Sequence, residues 1–226
     1  MLHIIDFDCT LFDTKEALRL AYMYSFTSIY PDEENIFTRE NWIWAESQPG
    51  GYVEPIVKKA DKGYSIDDLK NKKRSIYPLY YMNEIRPNFN FLKEVKMLNN
   101  EKFKWDKFVI CTNSEENVVY KILSYFDIGD MFDWVVGRDT FSMTECKPSI
   151  SMYERIFEEY HDTGLDPSIF DIDKRITFFD DSDFGLKSCY YFKDVMEQKY
   201  PGFEIFIHKI DMYESVIDPK FIGQNK

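Results

Sequence analysis

Short apolar runs rich in β-forming residues recur along the chain at Leu2 to Phe7, Phe108 to Thr112, Trp134 to Gly137, Ile176 to Phe179 and Phe203 to Ile207. Longer stretches with helical spacing separate the later ones. Ser114, Glu115 and Glu116 read as a helix start, and Val118, Val119, Ile122, Leu123 and Phe126 mark one apolar face before Gly129 ends it. Ser149 precedes Met152, Ile156 and Phe157 at helical spacing, and Phe184 to Gln198 forms another helix, closed by Pro201-Gly202. Strands alternating with helices predict an α/β fold with a parallel sheet covered on both faces.

Residues 15–82 break that rhythm. They hold no convincing strand and instead show helical stretches at Lys15 to Ser28, Arg39 to Glu46, Val53 to Ala60 and Ser65 to Tyr81, the last opened by the box Ser65-x-x-Asp68. With 226 residues, the chain has the length of one domain plus a substantial insertion or of two small domains, and the helical break after the first strand favours the insertion. The expected division is therefore a core of residues 1–14 and 83–226 and a helical insertion of residues 15–82. Aromatic residues make up 18% of the chain, so large flat side chains are expected to supply much of the core without covalent staples.

A formal net charge of −12 repels phosphate backbones and anionic membranes, so neither a nucleic acid polymer nor a membrane is an expected partner. The longest basic cluster, Lys70, Lys72, Lys73 and Arg74, follows Asp67 and Asp68 and reads as a solvated helix face. Cysteines 9, 111, 146 and 189 show neither a C-x-x-C pair nor a metal-finger spacing, which fits a reducing cytoplasm. An acid at position 6 leaves no room for a signal peptide, and no stretch approaches the length of a membrane span.

The chemistry collects at the ends of the strands. The first strand ends in Asp6-Phe7-Asp8, and because side chains two apart on a strand share a face, both carboxylates are expected to emerge together at its carboxyl edge, where ligands of open α/β sheets bind. By itself the pair is also a common solvated strand end. The run VICTNS sets Thr112, Asn113 and Ser114 where a strand gives way to a helix, a place suited to an anion or to an ordinary N-cap. ITFFDDS ends another strand with Asp180 and Asp181 in tandem, a costly cluster of like charge unless a cation or proton offsets it, and such hard oxygen ligands point to Mg²⁺. Lys147, just before a helix, offers a positive charge for a phosphoryl group, although a lone lysine is usually solvated surface.

The four runs in this order resemble the haloacid-dehalogenase-like superfamily. Its Asp-x-Asp-x-Thr is matched by Asp6, Asp8 and Thr10, its Ser/Thr by Thr112, its Lys by Lys147 and its acidic pair by Asp180-Asp181. The resemblance covers roughly residues 1–210 and implies a Rossmann-like parallel-sheet core, with residues 15–82 as a C1-type cap that chooses the substrate. Two positions depart from the pattern. Cys9 stands where the family usually has Gly, and Gly185 replaces the acid common four residues after the metal-binding Asp, leaving Asp180 or Asp183 as the acid behind the metal ligands.

The resemblance further implies a Mg²⁺-dependent phosphatase of a small phosphomonoester, a nucleotide or sugar phosphate. Asp6 is then the nucleophile that forms an aspartyl-phosphate, and Asp8 the general acid and base. Asp6, Asp8 through its backbone carbonyl, and Asp181 are the metal ligands, with Asp180 behind them. Thr10, Thr112, Asn113 and Lys147 hold the phosphate. The alternatives are a phosphomutase using the same aspartyl-phosphate and, in another class, a non-catalytic binding protein on this fold. Within the insertion, Trp42 and Trp44 do not share a helix face, so at most one is expected in the core.

Overall fold

The computed structural model describes residues 1–48, 52–100, 106–142, 144–162 and 174–212. In chain order its strands are β1 (Leu2–Ile5), β2 (Phe12–Asp13), β3 (Arg86–Pro87), β4 (Lys107–Cys111), β5 (Trp134–Val136), β6 (Arg175–Asp180) and β7 (Glu204–Lys209). Its α-helices are α1 (Lys15–Ile29), α2 (Arg39–Glu46), α3 (Val53–Ala60), α4 (Ile66–Ile76), α5 (Phe89–Asn100), α6 (Glu116–Tyr125), α7 (Ser151–Asp162) and α8 (Asp183–Lys199).

Five strands form one sheet in the order β5-β4-β1-β6-β7, and every neighbouring pair is parallel. This is the parallel α/β core that the strand–helix alternation predicts. β1 is central and wholly buried, which explains why it is apolar apart from His3. In register, Ile5 lies opposite Ile110 on one side and Phe179 on the other. From β1 the chain builds outward through β4 and β5, then returns to the other side of β1 as β6 and β7. The strand order therefore reverses between β1 and β6, the position in such sheets where ligands bind at the carboxyl edge. Asp6 follows the first of these strands and Asp180 ends the second.

The chain divides into two units, Met1–Asp13 with Pro87–Lys226, and Thr14–Arg86. The core of the first includes Leu2, Ile4, Val109, Tyr153, Ile156, Phe178 and Phe192. The second is helical and gathers Phe26, Phe37, Trp42, Ile56 and Leu69 into a core of its own. Trp42 is buried there and stacks on Tyr52 at 4.2 Å, whereas Trp44 is exposed and carries Lys59 Nζ 4.4 Å above its ring. The basic cluster lies on α4, with Lys73 over the rings of Tyr22 and Tyr77. Among the described residues no helix is long and apolar enough to cross a membrane.

Local chemistry sets several boundaries differently from the apolar pattern. α4 begins as expected, with Ser65 Oγ accepting from Asp68 N, but stops at Ile76 rather than Tyr81, because Pro78 holds Tyr77 in an extended conformation. α6 ends at Tyr125, ahead of Gly129, where Asp127 takes the left-handed turn with φ 54°. Helix α5 has no counterpart in the apolar pattern. Asn88 starts it, its Oδ1 accepting from Phe91 N, and Phe91, Leu92 and Val95 bury its inner face.

Candidate active site

β1 closes at Ile5, so Asp6 and Asp8 lie beyond the strand and not on its face. The segment after Asp6 folds into a tight turn in which Leu11 N and Phe12 N both donate to Phe7 O and Cys9 N donates to Phe12 O. Cys9 sits at φ 63°, a left-handed conformation that glycine adopts without strain. Asn88 steadies this turn from the start of α5, its Nδ2 donating to Thr10 O at 3.1 Å.

Asp6 is held against β6 by its backbone N–H, which donates to Phe179 O. Lys147 Nζ reaches Asp6 Oδ1 at 2.7 Å and Asp180 Oδ2 at 2.9 Å. The Thr10 hydroxyl lies 3.3 Å from both Asp6 Oδ2 and Asp181 Oδ1. Oxygens of Asp6, Asp180 and Asp181 lie within 4.8 Å of one another. Asp180 is buried and fixed further by Ser182, whose N and Oγ donate to its Oδ1 at 3.0 and 2.8 Å. The same Ser182 Oγ accepts from Gly185 N and caps α8. A Cβ on Gly185 would collide with the Asp180 carboxylate, so the acid at 180 occupies the space that a side chain at 185 would need.

A second set of contacts surrounds Asp8. Ser114 Oγ donates to Asp8 Oδ2 at 2.6 Å, and Thr112 Oγ lies 3.5 Å from the same oxygen. Asn113 Oδ1 accepts from Lys147 N at 3.0 Å and its Nδ2 donates to Lys147 O at 3.1 Å, so its side chain clamps the lysine backbone. Tyr153 is buried beneath the ammonium, its ring centroid 5.9 Å from Lys147 Nζ and its hydroxyl bonded to Cys189 Sγ.

Asp6, Thr10, Lys147, Asp180 and Asp181 thus stand in one cluster and Asp8, Thr112 and Ser114 in another, with Asn113 joined to the first through Lys147. The sequence predicts Ser114 at the start of α6, but Glu115 holds the N-cap position instead. Ser182, Asn88 and Tyr153 did not stand out in the sequence. An Asp-Asp-Ser run at a helix start would have pointed to the first of them. Of the cysteines, Cys111, Cys146 and Cys189 are buried and only Cys9 is partly exposed. Burial pushes the Cys189 thiol up to about 12.

The electrostatics of the cluster are unbalanced toward anions. Burial raises Asp6 well above the usual carboxylate range; Lys147 works against this, and Asp180 and Asp181 add to it. Burial also raises Asp181 to about 6, with help from Asp180. Burial disfavours the Lys147 ammonium, but Asp6, Tyr153 and Asp180 outweigh it and hold the amine above its ordinary value. One ammonium therefore faces three carboxylates, and a divalent cation with oxygen preference fits the residual charge.

The family model described as haloacid dehalogenase-like hydrolase matches residues 3–189. Among solved structures, CbbY from Rhodobacter sphaeroides in complex with phosphate superposes with a TM-score of 0.62 at 18% identity, covering 99% of this chain and 91% of that one. A predicted phosphoglycolate phosphatase from Haemophilus somnus 129pt gives 0.62 at 20% identity over 95% and 90% of the two chains. A HAD-superfamily hydrolase from Geobacter sulfurreducens PCA gives 0.57 at 16% identity, covering 83% and 82%. A search of curated proteins by sequence finds no match. At these identities the structural neighbours speak for the fold, and the family model speaks for the lineage: the chain belongs to the haloacid dehalogenase-like hydrolase family.

Proposed function

We propose that this hydrolase is a Mg²⁺-dependent phosphatase of a small phosphomonoester and that Asp6 is its nucleophile. The observation that carries this reading is the division of labour between two acids. The Asp6 carboxylate belongs to the cluster of Lys147, Asp180 and Asp181, whereas the Asp8 carboxylate is bonded to hydroxyls at the end of β4. A phosphatase passing through an aspartyl-phosphate needs such a pair, one group to attack phosphorus and one to move protons. The phosphatase named among the structural neighbours, and the phosphate complex of CbbY, support the same substrate class.

In the first half-reaction an Asp6 carboxylate oxygen bonds to phosphorus as the phosphorus–oxygen bond to the leaving group breaks, and Asp8 gives its proton to that leaving oxygen. In the second, water attacks phosphorus, its proton passes to Asp8, and the acyl-phosphate bond breaks to restore Asp6 and release inorganic phosphate. Lys147 orients Asp6 and offsets charge on the transferred group, as does Thr112 at the end of β4. The donor set suits Mg²⁺, held by Asp6, Asp181 and the Asp8 carbonyl with Asp180 behind them. When bound, that ion offsets the repulsion between the Asp6 carboxylate and an anionic phosphate. Residues 15–82 serve, on this reading, as a C1-type cap.

Hydrolysis of a chromogenic phosphomonoester, with and without Mg²⁺, tests the proposal. Release of inorganic phosphate that needs Mg²⁺ and disappears in Asp6→Asn supports it. Full activity in EDTA, or activity retained by Asp6→Asn, overturns it.

A further inference from the structure

The Ser114 hydroxyl has an assignment that its place in the sequence does not suggest. A serine just before a helix ordinarily caps it. Here the N-cap position is Glu115, with no side-chain cap bond, and Glu116 N donates instead to Asp139 Oδ1 at 2.9 Å. Capping is thus handled by the loop after β5, and the serine hydroxyl turns to Asp8 at 2.6 Å, the short distance of a charge-assisted hydrogen bond.

The backbone of Ser114 is fixed at both ends. Its N–H donates to Thr112 Oγ at 3.0 Å and its carbonyl accepts from Arg138 N at 3.0 Å. The chain at Gly137 passes so close that a Cβ there would lie 2.8 Å from Ser114 O. Asp8 comes from a different segment, the tight turn around Cys9, and the direction of its carboxylate is set by its side-chain torsions. A rigid donor thus meets a carboxylate whose orientation decides whether proton transfer is in reach.

We propose that Ser114 is the positioning residue for Asp8, holding Oδ2 so that the carboxyl group can deliver a proton to the leaving oxygen. The inference rests on the reading of Asp8 as general acid. A hydroxyl that donates to Oδ2 makes that oxygen the weaker base and directs the transferable proton to Oδ1. Ser114 itself touches no reacting atom and exchanges no proton with substrate.

The test compares two esters that differ by one nitro group, p-nitrophenyl phosphate and phenyl phosphate, in Ser114→Ala, Ser114→Thr and Asp8→Asn. Nitrophenolate departs readily without a proton, whereas the more basic phenolate needs one, so a lost acid shows mainly on phenyl phosphate. Ser114→Ala is expected to lose about 10-fold more kcat/KM on phenyl phosphate than on the nitrophenyl ester, a part of the roughly 10²-fold or greater effect of the acid itself. Ser114→Thr, which restores the hydroxyl, recovers most of the loss. Equal losses on both esters, or none, in Ser114→Ala while Asp8→Asn keeps its bias against phenyl phosphate overturn the role of Ser114 and leave Asp8 standing. Absence of that bias in Asp8→Asn itself overturns the reading of Asp8, and the proposal with it.

Discussion

Gly185 shows how one missing side chain shapes the acidic cluster. The Asp180 carboxylate fills the space beside it and is tied there by Lys147 and both donors of Ser182. Gly185→Ala requires the carboxylate to swing away and surrender those bonds. The expected result is a loss of about 1–3 kcal/mol in stability, the usual cost of overpacking a filled site, together with weaker activity. Urea unfolding and kcat/KM measured side by side check it, and wild-type values for both would show that Asp180 repacks at no cost. The sequence exposes the absence of an acid at 185, but not that Asp180 occupies its place, because that depends on how α8 docks after β6. Cys9 is similar: its identity is plain in the sequence, while its left-handed φ appears only once the turn around Phe7 O is formed.

At the scale of elements, what could be read in advance follows from how strongly burial marks a segment. β1, β4, β5 and β6 are mostly apolar and buried because the sheet is covered on both faces, so their places along the chain and their parallel arrangement could be read from the sequence, while their order across the sheet could not. A polar cap marks a helix start nearly as clearly, as Ser65 shows for α4, whereas its end at Ile76 is misread as Tyr81, because the apolar spacing runs on past Pro78. Helix α5 was hidden because its apolar residues do not keep to one face: Phe91, Leu92 and Val95 are buried while Phe89 and Met97 are exposed. The same limit governed the site. Strand ends place acids and hydroxyls at one edge of the sheet, but which hydroxyl meets which acid depends on loop geometry. Ser114 therefore read as a helix cap, when Asp139, 25 residues further along the chain, is what accepts from the first turn of α6.

For the whole molecule, the acidic cluster links folding, pH and metal. Asp181 is raised from 3.8 to about 6 by burial and by Asp180. Between those values the folded chain keeps a proton that the unfolded chain releases, so stability falls as pH rises through this window. The metal-free protein should therefore lose stability relative to Asp181→Asn between pH 3.8 and 6, and saturating Mg²⁺ should remove that difference by binding the ionised form. Thermal melts across the window, with and without the ion, check it; parallel curves for the two proteins without metal would show that Asp181 does not carry the effect.

Passage of phosphorus through Asp6 is read out by quenching the enzyme in acid during turnover, reducing it with borohydride and mapping the peptides by mass spectrometry. An aspartyl-phosphate is reduced to homoserine, whereas an unmodified carboxylate is not. Homoserine is expected at position 6, appearing only with substrate and absent from Asp6→Asn. Turnover with position 6 unaltered, or homoserine at Asp8, Asp180 or Asp181 instead, would contradict it.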